Sequence, residues 1–219
     1  MVHLPIKQII LKYSVLISMV ISAILILMAA MVYPGGSLPD KNSIGFDWTK
    51  NFISNLFAAK AINGADNPSR IWSIIGMAFH SLGYGLFFIN MSKKIPSRHA
   101  TSALKSIGLV NILFNFLITT PMHDSMVTIS STLTLIGLFY ITVFILKTKL
   151  HLIKFCCILC LITFYFTLYL YGSGNWGLLA IMQKISFIGS AILVLSLEYF
   201  IKQEHFPLMK PEEIKISNQ

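Results

Sequence analysis

Charge is the first thing this chain lacks. Of its 219 residues only 11% are charged, and Asp and Glu together number 8. A soluble domain of this length carries about a quarter charged residues. With 55% hydrophobic residues and a mean hydropathy of +0.74, the chain falls in the membrane class. Nucleic-acid-binding motifs are missing as well. The formal net charge is +9, but Lys and Arg gather in short clusters at alternate ends of apolar runs. That placement is the positive-inside pattern and not a basic patch for nucleic acid. Cysteine is scarce, and Cys156, Cys157 and Cys160 all fall within one apolar run. They imply no disulfide framework and read as small packing residues, with palmitoylation a minor option. There is no His-x-x-x-His pair and no convincing set of three or four ligands, so neither a metal nor a cofactor is expected. No nucleophile-elbow motif occurs. No internal repeat suggests a duplicated transporter half.

What is present is a set of long apolar runs. Six spans are expected, at about 9–33, 71–91, 104–120, 126–146, 153–171 and 176–201. Each approaches the roughly 20 residues needed to cross the hydrocarbon. Ala29 and Ala30 imitate a signal-peptide cleavage site. The first apolar run, however, exceeds the usual signal core of roughly 7–15 residues, so an uncleaved span is expected. Residues 203–219 read as a polar, disordered tail. The fold class is an all-α integral membrane bundle of six transmembrane helices. Basic residues flank the N-terminus, the second-to-third loop, the fourth-to-fifth loop and the C-terminus. Both termini are therefore expected in the cytoplasm, in the cell's inner or plasma membrane. The Asp47 loop, the His123 turn and the Gly172 turn should face outside.

The loop between the first two spans is the least ordinary stretch. Tyr33-Pro34-Gly35-Gly36 ends the first helix. Trp48, Phe52, Ile53, Leu56 and Phe57 then share one face of a helical pattern, with Lys50, Asn51, Ser54 and Asn55 opposite. This predicts a short amphipathic helix from Trp48 to Lys60, capped by Asp47 and lying on the bundle or the membrane surface. Asn63-Gly64 and Asp66-Asn67-Pro68 are turn chemistry, and Ser69 is a plausible cap for the next helix.

These motifs carry a resemblance. YPGG, then WTKNFISNL, then an NPS before the second span resemble an uncharacterised bacterial six-span family, DUF998. Gln183-Lys184 in the last span resembles a basic position of that family. The chain departs from the pattern at Asn55, where an acid is usual, and at Phe57, where Gly is common. More distantly the loop is similar to the DRAM and Frag/Sfk membrane families. The resemblance implies the six-span fold and brings no defined activity.

Several polar residues sit at membrane depth, where they are costly and normally face the protein interior. His80 lies about nine residues into the second span, roughly 13 Å deep at 1.5 Å per residue. Lys184 lies about eight residues into the sixth span from the same side. Asn111 and Asn115 stand one turn apart on the third span. His123 and Asp124 occupy the tight turn on that side, and Asp47, Asn51 and Ser54 lie in the loop above. Lys184 is expected to pair with Asp124, or failing that with Asp47. Gly76, His80 and Gly83, like Ser130, Thr134 and Gly137, form small-residue stripes suited to close helix packing.

Two functional readings follow. In one, Asp47, Asn51, Ser54, His80, Asn115, His123, Asp124 and Lys184 line an outward-facing polar pocket for a lipid or small solute, with the bilayer as the other partner. The same residues could equally be a structural polar plug that fixes helix packing. In the other reading, His80 and Asp124 are the catalytic residues of a membrane-embedded lipid-modifying hydrolase or transferase, with Ser54 or Ser81 as a nucleophile.

Overall fold

The polypeptide is helical wherever apolar residues run long enough to cross a membrane. The computed structural model describes residues 6–207. A short helix α1 (Ile6–Lys12) leads through Tyr13 into α2 (Ser14–Met31). Then follow α3 (Ser69–Lys94), α4 (Arg98–Leu117), α5 (His123–Leu146), α6 (His151–Ser173) and α7 (Trp176–Phe200). Helices α2 to α7 are the six that are long and apolar enough to span a bilayer. They correspond one to one with the six expected spans, and the all-α six-span bundle stands. Of the expected tail, Gln203–His205 forms one 3₁₀ turn and Phe206 is buried in the core, so the tail's beginning is docked. Residues 208–219 lie outside the described residues.

Helix α3 is the centre of the bundle. It packs against α2, α4 and α7 and is the most buried of the six, whereas α6 is the least. The small-residue stripes make these contacts possible. Gly76 faces Leu25 and Ile26, Gly83 faces Met19 and Ser18, and Gly137 lies on the Phe88 ring. The larger core cluster runs through Phe87, Phe88, Met91, Leu104, Ile141 and Leu197. Without water in the hydrocarbon, this packing is held by dispersion and by hydrogen bonds between helices. Asn111 supplies two of these bonds. It donates to Thr134 Oγ1 at 2.8 Å and accepts from Ser130 Oγ at 2.8 Å.

Charge separates the two ends of the bundle. One end carries Lys12, Lys93, Lys94, Arg98, Lys147, Lys149 and Lys154 against Glu198 and Glu204, around the start of α2, the α3–α4 and α5–α6 connections and the end of α7. The other end, which holds the long α2–α3 loop, mixes Lys41, Lys50 and Lys60 with Asp40, Asp47, Asp66 and Asp124. We call this second end the loop end.

Candidate functional site

The α2–α3 loop folds onto the loop end as a cap. Its helical part is shorter than the Trp48–Lys60 pattern suggests. Only Ile53–Phe57 is helical, and it is 3₁₀. The reason lies in the side-chain hydrogen bonds that Asn and Asp offer the backbone in place of helical ones. Asp47 Oδ1 accepts from the backbone and hydroxyl of Thr49 at 2.8 and 2.7 Å, which closes a turn rather than capping an α-helix. Asn51 Oδ1 accepts from Asp47 N–H, and Asn55 Oδ1 accepts from Phe52 N–H. Part of the apolar stripe behaves as expected, with Ile53, Leu56 and Phe57 buried against Ile26, Ala29, Tyr33 and Met77, whereas Trp48 is 46% exposed and Asn51 of the opposite face is fully buried. Gly35 and Gly36 hold positive φ, and a Cβ on Gly36 would stand 2.4 Å from Asn63 N, so the cap closes only with glycine there.

Asn67 ties the cap to α3. Its Nδ2 donates to the carbonyls of Asn55, Leu56 and Ala58, and its Oδ1 accepts from Ser69 N–H. Ser69 is thus the first residue of α3 and not its cap; its hydroxyl donates to Leu56 O. From α7, Gln183 Oε1 accepts from Ile53 N–H at 2.9 Å.

Lys184 holds the same cap, and its partners differ from those expected. Its Nζ donates to Asn51 O at 2.5 Å and to Ala180 O at 2.6 Å, and it sits 5.8 Å from the centre of the Phe46 ring. Among the described residues no carboxylate lies within ion-pairing distance of it. Asp124 stands elsewhere, and Asp47 is 3.4 Å from Lys50. The expected Lys184–Asp124 pair is therefore replaced by a lysine–carbonyl latch. Asn51 is fully buried; its Nδ2 donates to Gly36 O at 2.7 Å, so its side chain is committed to the cap.

Beneath the cap, α3 to α7 enclose a cavity of about 570 Å³. Of the eight candidate residues, Ser54, His80, Asn115, His123 and Asp124 line it. Asp47, Asn51 and Lys184 do not; they organise the cap above. The exposed members of its wall, Leu38, Asp124 and Trp176, all lie at the loop end, so the cavity is entered from there.

Most polar groups in the wall are satisfied by the protein. Tyr84 and Ser190 share a hydrogen bond, as do Thr167 and Ser186. His123 and Asp124 belong to the first turn of α5 rather than to the connecting turn, and His123 Nδ1 donates to Ile118 O at 2.8 Å. Ser54, Ser131, His80 and Asn115 are different, and of these His80 and Asn115 are the buried residues. His80 is 7% exposed and Asn115 6% exposed, and among the described residues no protein group hydrogen-bonds to either side chain, whose polar atoms remain open to the cavity. The His80 ring is stacked on Phe187 at 4.4 Å and leans on Tyr84 at 4.5 Å. Asp124 stands at the mouth, with Tyr171 beside it in the wall. His80 and Asp124 are thus not hydrogen-bonded to one another, and the Ser81 hydroxyl is turned to Met77 O. The pairing that the hydrolase reading draws is not made in this structure.

Sequence reasoning gave no role in the site to Gln183, Tyr84, Thr167 or Ser186. Each looks ordinary on its own helix and becomes a wall residue only through packing. It also passed over Glu198, whose Oε1 accepts from Asn90 and whose carboxylate lies 3.7 Å from Lys94 at the opposite end.

The Thr49 bonds and the Lys50 charge hold the Asp47 carboxyl well down, from 3.8 to about 2. A depressed carboxyl stabilises the turn above its unfolded value and loses that contribution as pH falls through the folded one. Amide exchange at Thr49 is therefore expected to quicken as pH drops from about 4 towards 2, relative to the intrinsic rate. Asp47→Asn should remove that dependence; a dependence unchanged in the variant would place its origin elsewhere.

Comparison of the chain with family models, curated proteins and solved structures gives no match.

Proposed function

We propose that this six-span protein holds a lipid or small solute in the cavity under the loop cap, with the ligand's polar part against His80 and Asn115. The observation that carries the reading is the pair itself. Two polar side chains on deeply placed residues face one cavity without a protein partner, with their polar atoms open to it and free to bond a ligand. A ligand with one donor and one acceptor matches them, and 570 Å³ suits an amphiphile of modest size. The charge asymmetry supports an orientation with the basic end in the cytoplasm and the cavity mouth outside, in the inner or plasma membrane. The YPGG, WTKNFISNL and NPS motifs that resemble the DUF998 family belong to the cap, and Gln183 and Lys184 bond to it from α7. Asn55 uses its oxygen as an acceptor for Phe52 N–H, a task an acid at that position would also perform. Membership of that family is part of the proposal.

The test separates a binding site from a structural plug. His80→Phe with Asn115→Leu removes both unpartnered groups while keeping volume. Mass spectrometry of the lipid extract of purified protein should show a co-purifying amphiphile with the wild type and lose it in the double variant. The apparent unfolding temperature of the ligand-stripped double variant should hold or rise. A drop of several degrees, with the bound species unchanged, would make the pair structural and end the proposal.

A further inference from the structure

The cavity mouth has its own chemistry. Among the residues lining the cavity there is no Lys or Arg. Asp124, at the rim, has no Lys or Arg partner among the described residues, whereas Asp47 pairs with Lys50 and Asp66 with Lys60. The neutral Tyr171 side chain lies beside it in the cavity wall. Tyr171 meets Trp176 at 5.8 Å and 89°, and Trp176 meets Phe52 at 6.4 Å and 89°. In each contact the edge of one ring meets the face of the other, which makes an aromatic corner, and all three residues line the cavity. Aromatic faces attract cations, and an organic cation loses less hydration than a metal ion on entering such a corner.

We propose that the cavity mouth is a site for an organic ammonium group, held between the Asp124 carboxylate and the rings of Tyr171, Trp176 and Phe52. This rests on the reading of the cavity as a ligand site and names the chemistry of one end of the ligand. The ammonium sits at the mouth, where Asp124 and Trp176 are exposed, and the rest of the molecule extends towards His80 and Asn115. A phosphate alone finds no cation in this wall. The ammonium can belong to a lipid headgroup or to a free solute, and the chemistry of recognition is the same for both.

The test uses the full chain purified in maltoside and titrated calorimetrically with matched probes. Choline is compared with 3,3-dimethyl-1-butanol, its uncharged carbon isostere. Dihexanoylphosphatidylcholine is compared with dihexanoylphosphatidylglycerol. At least one ammonium probe should bind about tenfold more tightly than its partner, since a carboxylate and several ring faces act on the same charge. Asp124→Asn should abolish that preference, and Trp176→Leu should weaken the ammonium probe about fivefold. Asp124→Ser serves as a second variant, and gel filtration of each confirms folding. Binding of free choline identifies a solute site; binding of the phosphatidylcholine analogue alone identifies a headgroup site. Equal binding within both pairs, no binding of either ammonium probe, or a preference that survives in folded Asp124 variants would overturn the proposal. A co-purifying amphiphile that lacks an ammonium group but depends on His80 and Asn115 would overturn it while leaving the cavity reading in place.

Discussion

Lys184→Met is expected to lower the apparent unfolding temperature by about 5–10 °C. Lys184 is 8% exposed, and its ammonium spans from α7 to the backbone of the cap through Asn51 O, with a second bond to Ala180 O. Methionine fills nearly the same volume but donates nothing. Asn51 O is then left buried without its cationic partner, and a bond from a charged donor contributes about 1.5–3 kcal/mol. For a chain of this size each kcal/mol moves the midpoint by about 2–4 °C. Arginine does not substitute well, because its fork is larger and the two carbonyls are spaced for one nitrogen. Asp124→Asn is expected to leave the midpoint nearly unchanged, and the double variant to add within about 0.5 kcal/mol, as distant sites do. Recovery of stability in the double variant would instead show that Lys184 and Asp124 meet.

Membrane helices advertise themselves because the bilayer leaves the backbone one solution. With no water to bond, each run of about 20 apolar residues closes its own hydrogen bonds. That is why α3, α5 and α7 begin and end close to where hydropathy and basic flanks place them. The cap is different. Trp48 to Lys60 has helical spacing, yet Asp47, Asn51 and Asn55 each take a backbone N–H with a side-chain oxygen, and a 3₁₀ turn results. Periodicity registers which residues are apolar; it does not register this competition.

The site divides in the same way. His80 and Asn115 stand out in the sequence because polar side chains at membrane depth are few, and both reach the cavity. Lys184 stands out for the same reason, but its partner could not be read. A buried ammonium is expected to find a carboxylate, and here two carbonyls and the Phe46 ring take that place. Carbonyls have no residue identity, so no pattern of letters announces them. The roles of Gln183 and Tyr84 were unreadable for a related reason: they depend on the cap and on the neighbouring helix, not on their own.

Gly85→Ala is expected to cost about 3 kcal/mol and some 6–12 °C in unfolding temperature, because overpacking at a helix crossing cannot relax cheaply. A Cβ at Gly85 would lie 2.1 Å from Ile112 Cγ1 and 2.9 Å from the Gly108 carbonyl oxygen. In return, a Cβ at Gly108 would lie 2.8 Å from Gly85 O. The two backbones therefore pass each other without room for a methyl. Gly189→Ala is the control. It also lies within a helix, but a Cβ there meets nothing within 4 Å, so only the backbone-entropy gain remains, about 1 kcal/mol in favour of alanine. Opposite signs at the two glycines are the expected outcome. The consequence reaches the cavity, since His80 stands on α3 and Asn115 on α4. Driving these helices apart at Gly85 separates the two side chains proposed to share a ligand. Gly85→Ala should then lose the co-purifying amphiphile even in the fraction that remains folded, whereas Gly189→Ala should keep it. An unchanged midpoint for Gly85→Ala would mean that Ile112 turns aside freely and that the α3–α4 approach sets neither the packing nor the site.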